Sequence, residues 1–268
     1  ERQSFSDEQL RKIFSKERFV TGGRESTHKN GIIYPFEYWL PLLALYAGLR
    51  IEEAAQLHLD DIACRDGIWI LKINSNGEKS LKNDNAAREI PIHPELIRLG
   101  LLRYRDRLCD EGYLRLFPEL TYEKGPGYSG TASNKFTKLF ASFGWPRDGT
   151  LVYHCFRHNA NNAIMKVDSS ILGGGGDQYK QVLQYKIMGH DLGSDTNKNH
   201  YTDDSIVDKA ALIGGISYDL PHIERFNENF GAMQVRKALQ RKKSVGKDRE
   251  SIGLDDWRIP EPKVAREG

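Results

Sequence analysis

The chain has 268 residues, 39% hydrophobic and 28% charged, with a net charge of +2. That suffices for one large core or two small ones and matches an ordinary globule, not a disordered or fibrous chain. No apolar run nears the roughly 20 residues of a membrane span and no signal-peptide pattern opens the sequence, so a cytoplasmic location without membrane partners is expected. Cys64, Cys109 and Cys155 are odd in number and far apart, which suits reduced thiols and lacks the paired spacing of a zinc site. The near-neutral balance leaves nucleic acid open as a partner without requiring it.

In chain order, Ser6-Asp7-Glu8-Gln9 predicts a helix start, capped by Ser6 or Asp7, with Leu10, Ile13 and Phe14 opening its apolar face. Residues 21–31 are polar and predict a loop. A helix is expected over 38–46, with Pro41 near its first turn, ending at Gly48 in the left-handed conformation. A second is expected over 51–57. Arg50 falls at the joint, a charged group where the pattern asks for core, so it needs a partner: Glu53, or an anion from outside.

From Ile62 the pattern turns to strands. Arg65-Asp66-Gly67 is a turn, 68–73 has strand composition, 74–85 is a polar loop and 88–92 is a short strand. Pro91 places that strand at the edge of a small antiparallel sheet. Helices follow over 94–109, 131–143, 156–165, 179–188 and 205–212. The expected fold class is therefore mainly α with a small antiparallel β-sheet (α+β), without internal repeats. Gly173 to Gly176 predicts a flexible loop that lacks the Lys-Ser/Thr of a phosphate-binding loop. A basic stretch runs from Arg236 to Arg249, and 255–268 reads as a mobile tail.

Three short stretches invite chemistry. Gly48-Leu49-Arg50-Ile51-Glu52-Glu53 is the first. His154-Cys155-Phe156-Arg157-His158 is the second, where His154 and Arg157 share a helix face. Met188-Gly189-His190, with Tyr201 eleven residues later, is the third. Singly each has a plain structural reading: Arg50 as an ion-pair residue, the lysines near 79–82 as a solvated hairpin, His190 as a helix-end residue.

Their order resembles the tyrosine recombinase (phage integrase) family over about residues 4–212. The Gly48–Glu53 stretch is similar to its first arginine box and Lys82 through Arg88 to Pro91 to its β-hairpin lysine segment. His154 to His158 is similar to its HxxRH box, Lys186 to His190 to its LLGH segment, and His200-Tyr201 sits where its nucleophile belongs. The resemblance implies the tyrosine recombinase catalytic-domain fold over 1–220 and a basic helical extension and tail over 221–268. It also implies a core-binding domain ahead of this fragment, which opens on Glu1 in place of an initiator Met.

The implied activity is site-specific recombination of double-stranded DNA by a homotetramer of bacterial or phage origin, with accessory DNA-bending proteins as possible partners. Such a protein would sit on the nucleoid when bound. In that scheme Tyr201 forms a 3′-phosphotyrosyl link. Arg50 and Arg157 offer planar bidentate forks to the phosphate, and His154 and His190 add hydrogen bonds. Lys82 is the candidate general acid, with Lys79 and Lys72 as rivals, and His154 takes or relays the tyrosine proton. Glu53 would orient Arg50 or a neighbouring histidine, while Lys79 and Arg88 would contact DNA. No cofactor or metal is required. The interval from His190 to Tyr201 is long for the family and makes delivery of Tyr201 to a neighbouring subunit conceivable. A type IB topoisomerase-like nicking-closing enzyme and a catalytically inactive DNA-binding regulator are the alternatives.

Overall fold

The most apolar stretch of the chain, Pro35–Ala47, becomes the helix around which the rest assembles. In the computed structural model, which describes residues 3–24, 33–81, 86–173, 176–190 and 205–244, every residue of this helix is buried. A helix apolar on all sides belongs at the centre of a bundle. It starts three residues earlier than the pattern suggests because Pro35 occupies the first helical position, where no N–H is needed. Pro41 consequently lies inside the helix and not in its first turn.

The described elements are α1 (Asp7–Phe14), α2 (Glu17–Val20), α3 (Pro35–Ala47), α4 (Ile51–Ala55), β1 (Ile62–Arg65), β2 (Ile68–Ile73), β3 (Arg88–Pro91), α5 (Pro94–Arg98), α6 (Leu101–Asp110), α7 (Gly130–Ser142), α8 (His154–Lys166), α9 (Gly176–Met188), α10 (Ile206–Gly214) and α11 (Glu228–Ser244). Ser6 caps α1 through a reciprocal pair: its Oγ accepts the Gln9 N–H, and the Gln9 side chain accepts the Ser6 N–H. The strands form one antiparallel sheet in the order β1-β2-β3, with Ile62 opposite Leu71 and Ile70 opposite Pro91. Pro91 thus sits on an edge strand, where its missing N–H does least harm. The fold is mainly helical with a small antiparallel sheet.

One expectation needs correction. The helix expected over 94–109 is two, α5 and α6, because Gly100 adopts φ +95° between them. A left-handed residue interrupts the i→i−4 ladder, and only glycine takes that conformation without cost. Residues 221–268 are expected to form a helical, basic extension and a flexible tail. Residues 221–244 belong to the same core: Phe226, Ala232, Val235, Ala238 and Leu239 are buried, and Phe226 packs against Tyr38, Trp39 and Tyr104. Arg236, Lys237 and Arg241 of α11 are exposed, whereas Lys242 turns back to donate to Glu119 O. The expected tail, 255–268, lies outside the described residues.

For the site, three placements matter. Helix α8 packs along α3, α4 follows α3 after three residues, and the C-terminal end of α9 meets both near Gly48.

Candidate active site

Gly48 closes α3 with φ +66°, and its N–H donates to Ala44 O at 3.1 Å. A Cβ at this position would lie 2.7 Å from Met188 Sδ, at the end of α9. Glycine is therefore needed twice, for the backbone turn and for the approach of α9. Two residues on, Arg50 is extended and stands at the N-terminus of α4.

Glu53 folds back onto it. Glu53 Oε2 accepts the Arg50 backbone N–H at 2.9 Å and Oε1 accepts Arg50 Nη1 at 2.6 Å. The sequence question about Arg50 is thus half answered, but Glu53 does not serve Arg50 alone. Arg88, the first residue of β3, donates from Nη2 to Glu53 Oε2 at 2.8 Å and from Nη1 to Oε1 at 3.1 Å. Its Nε donates to Ile187 O at 2.7 Å and its Nη1 also to Ala86 O at 2.8 Å. The side chains of Arg88 and Glu53 are each 4% exposed, that of Arg50 22%. Arg88 was expected to face DNA; the structure places it inside, behind Arg50. A short β-strand delivers it there because its start lies opposite Ile73 and against the end of α9.

Arg157 comes from α8 and is buried. Its two terminal nitrogens donate to Gly48 O and Met188 O, the carbonyls that end α3 and α9. Helix C-termini carry partial negative charge, which favours a guanidinium there. Arg50 Nη2 reaches Gly189 O at 3.5 Å. Gly189 has φ +59° and turns the chain so that His190 follows, its N–H on Tyr185 O at 3.0 Å. His190 is partly open to solvent. His154 stands one turn before Arg157 on α8, half-buried, its ring edge-on to His158 with centroids 4.9 Å apart.

Arg50, Glu53, Arg88 and Arg157 thus converge with the His190 segment around the ends of α3 and α9. Burial alone would push the Glu53 carboxyl up, but the hydrogen bonds and charge of Arg88, with help from Arg50, hold it at about 2. Burial and the nearby charge of Arg50 push Arg157 down to about 9. Burial, and then Arg157, Arg50 and Arg88, lower His190 from its ordinary value. Three guanidiniums surround one carboxylate, leaving two positive charges uncompensated in this cluster among the described residues. A site of this kind attracts an anion with several acceptor oxygens.

The lysines fare differently. Lys79, expected to face DNA and a rival for the acid role, is turned inward instead: Nζ bonds both Asp61 oxygens at 2.8 and 2.9 Å, and the pair is almost fully buried. A buried, doubly bonded ammonium is committed to its carboxylate. Lys72 is exposed on β2. Lys82 and Tyr201 lie outside the described residues.

The pattern reading missed a pair of bonds from Gln56, directly after α4. Its Nε2 donates to Ser80 O at 2.8 Å and its Oε1 accepts the Ser80 N–H at 3.0 Å. The side-chain amide imitates a strand partner and fixes the chain at Ser80, seven residues after β2. A lone Gln at a helix end gives no sequence signal for this.

No known family model matches the chain, and no curated protein does. Among solved structures, the chain is similar to the site-specific recombinase XerH bound to difH substrate in a pre-cleavage complex, with 15% sequence identity, a TM-score of 0.41 and 78% of this chain covered. The match covers 52% of that structure's chain, so this chain spans about half its length.

Proposed function

We propose that the protein breaks and rejoins double-stranded DNA as a tyrosine-type site-specific recombinase. The observation that carries this reading is the convergence of Arg50, at the start of α4, and Arg157, on α8, with two positive charges uncompensated among the described residues. A phosphodiester brings one negative charge, and the five-coordinate state reached on attack brings a second. The cluster therefore complements the transition state better than the ground state, which is the condition for rate enhancement.

In the reaction, the Tyr201 phenol oxygen attacks the scissile phosphorus and its proton passes to His154. The phosphorus–O5′ bond breaks, and Lys82 protonates the departing oxygen. The product is a 3′-phosphotyrosyl link and a free 5′ hydroxyl. Attack by a 5′ hydroxyl of a partner duplex reverses the steps and releases Tyr201. Arg50 and Arg157 bind the non-bridging oxygens, and His190 adds a hydrogen bond from the rim. Strand exchange requires two DNA sites, which a homotetramer would hold, with accessory DNA-bending proteins assisting. Affinity for DNA should fall steeply with salt, because phosphate contacts dominate it.

The test uses a pool of nicked duplexes of randomised sequence, in which the short cleaved end diffuses away and traps the intermediate. The expected result is a covalent protein–DNA adduct, selected for one sequence, that Tyr201→Phe abolishes without loss of binding. Survival of the adduct in that variant would move the nucleophile elsewhere. DNA binding with no adduct in the unaltered protein would favour a non-catalytic regulator.

A further inference from the structure

Among the three guanidiniums of the cluster, Arg88 has the most N–H groups engaged within the protein, since among the described residues the Arg157 side chain bonds only Gly48 O and Met188 O and that of Arg50 only Glu53 and Gly189 O. Four of its five N–H groups have partners: Ile187 O, Ala86 O and both oxygens of Glu53. At 4% side-chain exposure it offers nothing to a ligand. Its charge nevertheless acts on the site through Glu53.

Without Arg88, Arg50 and Glu53 would form an isolated pair of zero net charge. A lone carboxylate engages a guanidinium through two parallel N–H bonds where it can. Here that arrangement is prevented, because Glu53 Oε2 is shared between the Arg50 backbone N–H and Arg88 Nη2. Only Nη1 of the Arg50 side chain reaches Glu53. Among the described residues, Arg50 Nε makes no hydrogen bond and Nη2 only the long one to Gly189 O.

We propose that Arg88 is a charge-balancing positioning residue. It holds Glu53 in a bidentate pair, so that Glu53 anchors Arg50 without cancelling the positive charge that receives the anion. This rests on the anion-binding half of the reading above and not on the role of Tyr201. The approach of Gly189 supports it independently. A Cβ there would lie 2.9 Å from Arg88 Nη1 and 3.1 Å from Cζ. The backbone leading to His190 therefore rests directly on the Arg88 guanidinium.

Inorganic phosphate, titrated by calorimetry at low ionic strength, is the probe. Arg88→Met should weaken its binding about tenfold, the effect of one unit charge several ångströms away in a half-buried site. Arg88→Lys, which keeps the charge but not the fork, should stay within about threefold of the unaltered protein. Combining Arg88→Met with Glu53→Gln removes both members of the pair and should recover binding to within about threefold.

A purely structural role predicts the opposite order, with the double variant weakest. That order, a Lys variant as weak as the Met variant, or no phosphate binding by the unaltered protein would each overturn the proposal. If Arg88→Met does not fold, the Lys and double variants decide it by the same criteria. DNA-adduct formation by the unaltered protein is scored separately. A phosphate series in the expected order with no adduct sinks the strand-transfer reading alone, and an adduct with a flat series sinks the charge balance alone.

Discussion

Gly189 is the residue on which the site depends without contributing a functional group. It holds φ +59° and lies against the Arg88 guanidinium, so a methyl group would be penalised twice. The left-handed backbone costs about 1–2 kcal/mol for an L residue with a Cβ. The contact with Arg88 adds a displacement that reaches Glu53 and then Arg50. Gly67 separates the two effects, since it has φ +79° and nothing within 4 Å of an added Cβ. Urea unfolding should show Gly67→Ala losing about the backbone penalty alone, and Gly189→Ala losing more. Only Gly189→Ala should also weaken phosphate binding. Equal losses with unchanged phosphate affinity would mean that Arg88 moves aside freely. Arg50 was legible in the sequence because a charge inside an apolar pattern demands an explanation, and Arg157 because it shares a helix face with His154 in a stretch similar to a family box. The part played by Arg88 was not, because a strand residue after a polar loop reads as solvent-facing until the end of α9 is seen to cover it.

At the scale of elements, the joint between β3 and α5 carries a buried histidine. His93 Nδ1 accepts the Glu95 N–H at 2.9 Å, so Nε2 bears the proton shared with Ile216 O at 2.9 Å. The ring caps α5, ties it to the segment after α10, and must be neutral to do both. Burial lowers its pKa below the ordinary value, and the bond to Ile216 does not offset this. The unfolded chain therefore binds the proton more readily than the folded one. Stability is complete above the unfolded value of about 6.5 and declines as pH falls from there toward the lowered folded value. His58 is shifted in the same direction by burial and by Lys79. Urea midpoints between pH 5 and 8 should fall on the acid side, by at most about 1.4 kcal/mol per pH unit for each histidine. His93→Gln should make the profile shallower, and an unchanged slope would show that the ring titrates freely in the fold. Long uninterrupted helices, such as α3 and α8, were readable to within a few residues. Gly100 was passed over because one glycine in a helical pattern does not announce a left-handed break.

For the whole molecule, packing bears most directly on residues 221–244. Composition suggests an appendage, since α11 carries Arg236, Lys237, Arg241 and Lys242. The same helix supplies Val235, Ala238 and Leu239 to the core beside α6 and α3. The strand of chain before it is stitched in by backbone bonds from Glu224 N to Phe19 O, Phe226 N to Leu99 O and Asn227 N to Gly22 O. A chain ending at 220 would lose Phe226, Val235 and Leu239 from the core and uncover Trp39 and Tyr104. Three such side chains contribute about 5–9 kcal/mol together at the usual burial value. Whole domains are stable by only about 5–15 kcal/mol. The truncated chain should therefore keep helical far-UV dichroism, lose near-UV dichroism, bind hydrophobic dye and unfold without a sharp urea transition. A chain ending at 244 should unfold cooperatively. A sharp transition at the same midpoint for both would restore 221–244 to the status of an appendage. It would also remove the reason to place these residues in the body that carries Arg50, Arg88 and Arg157.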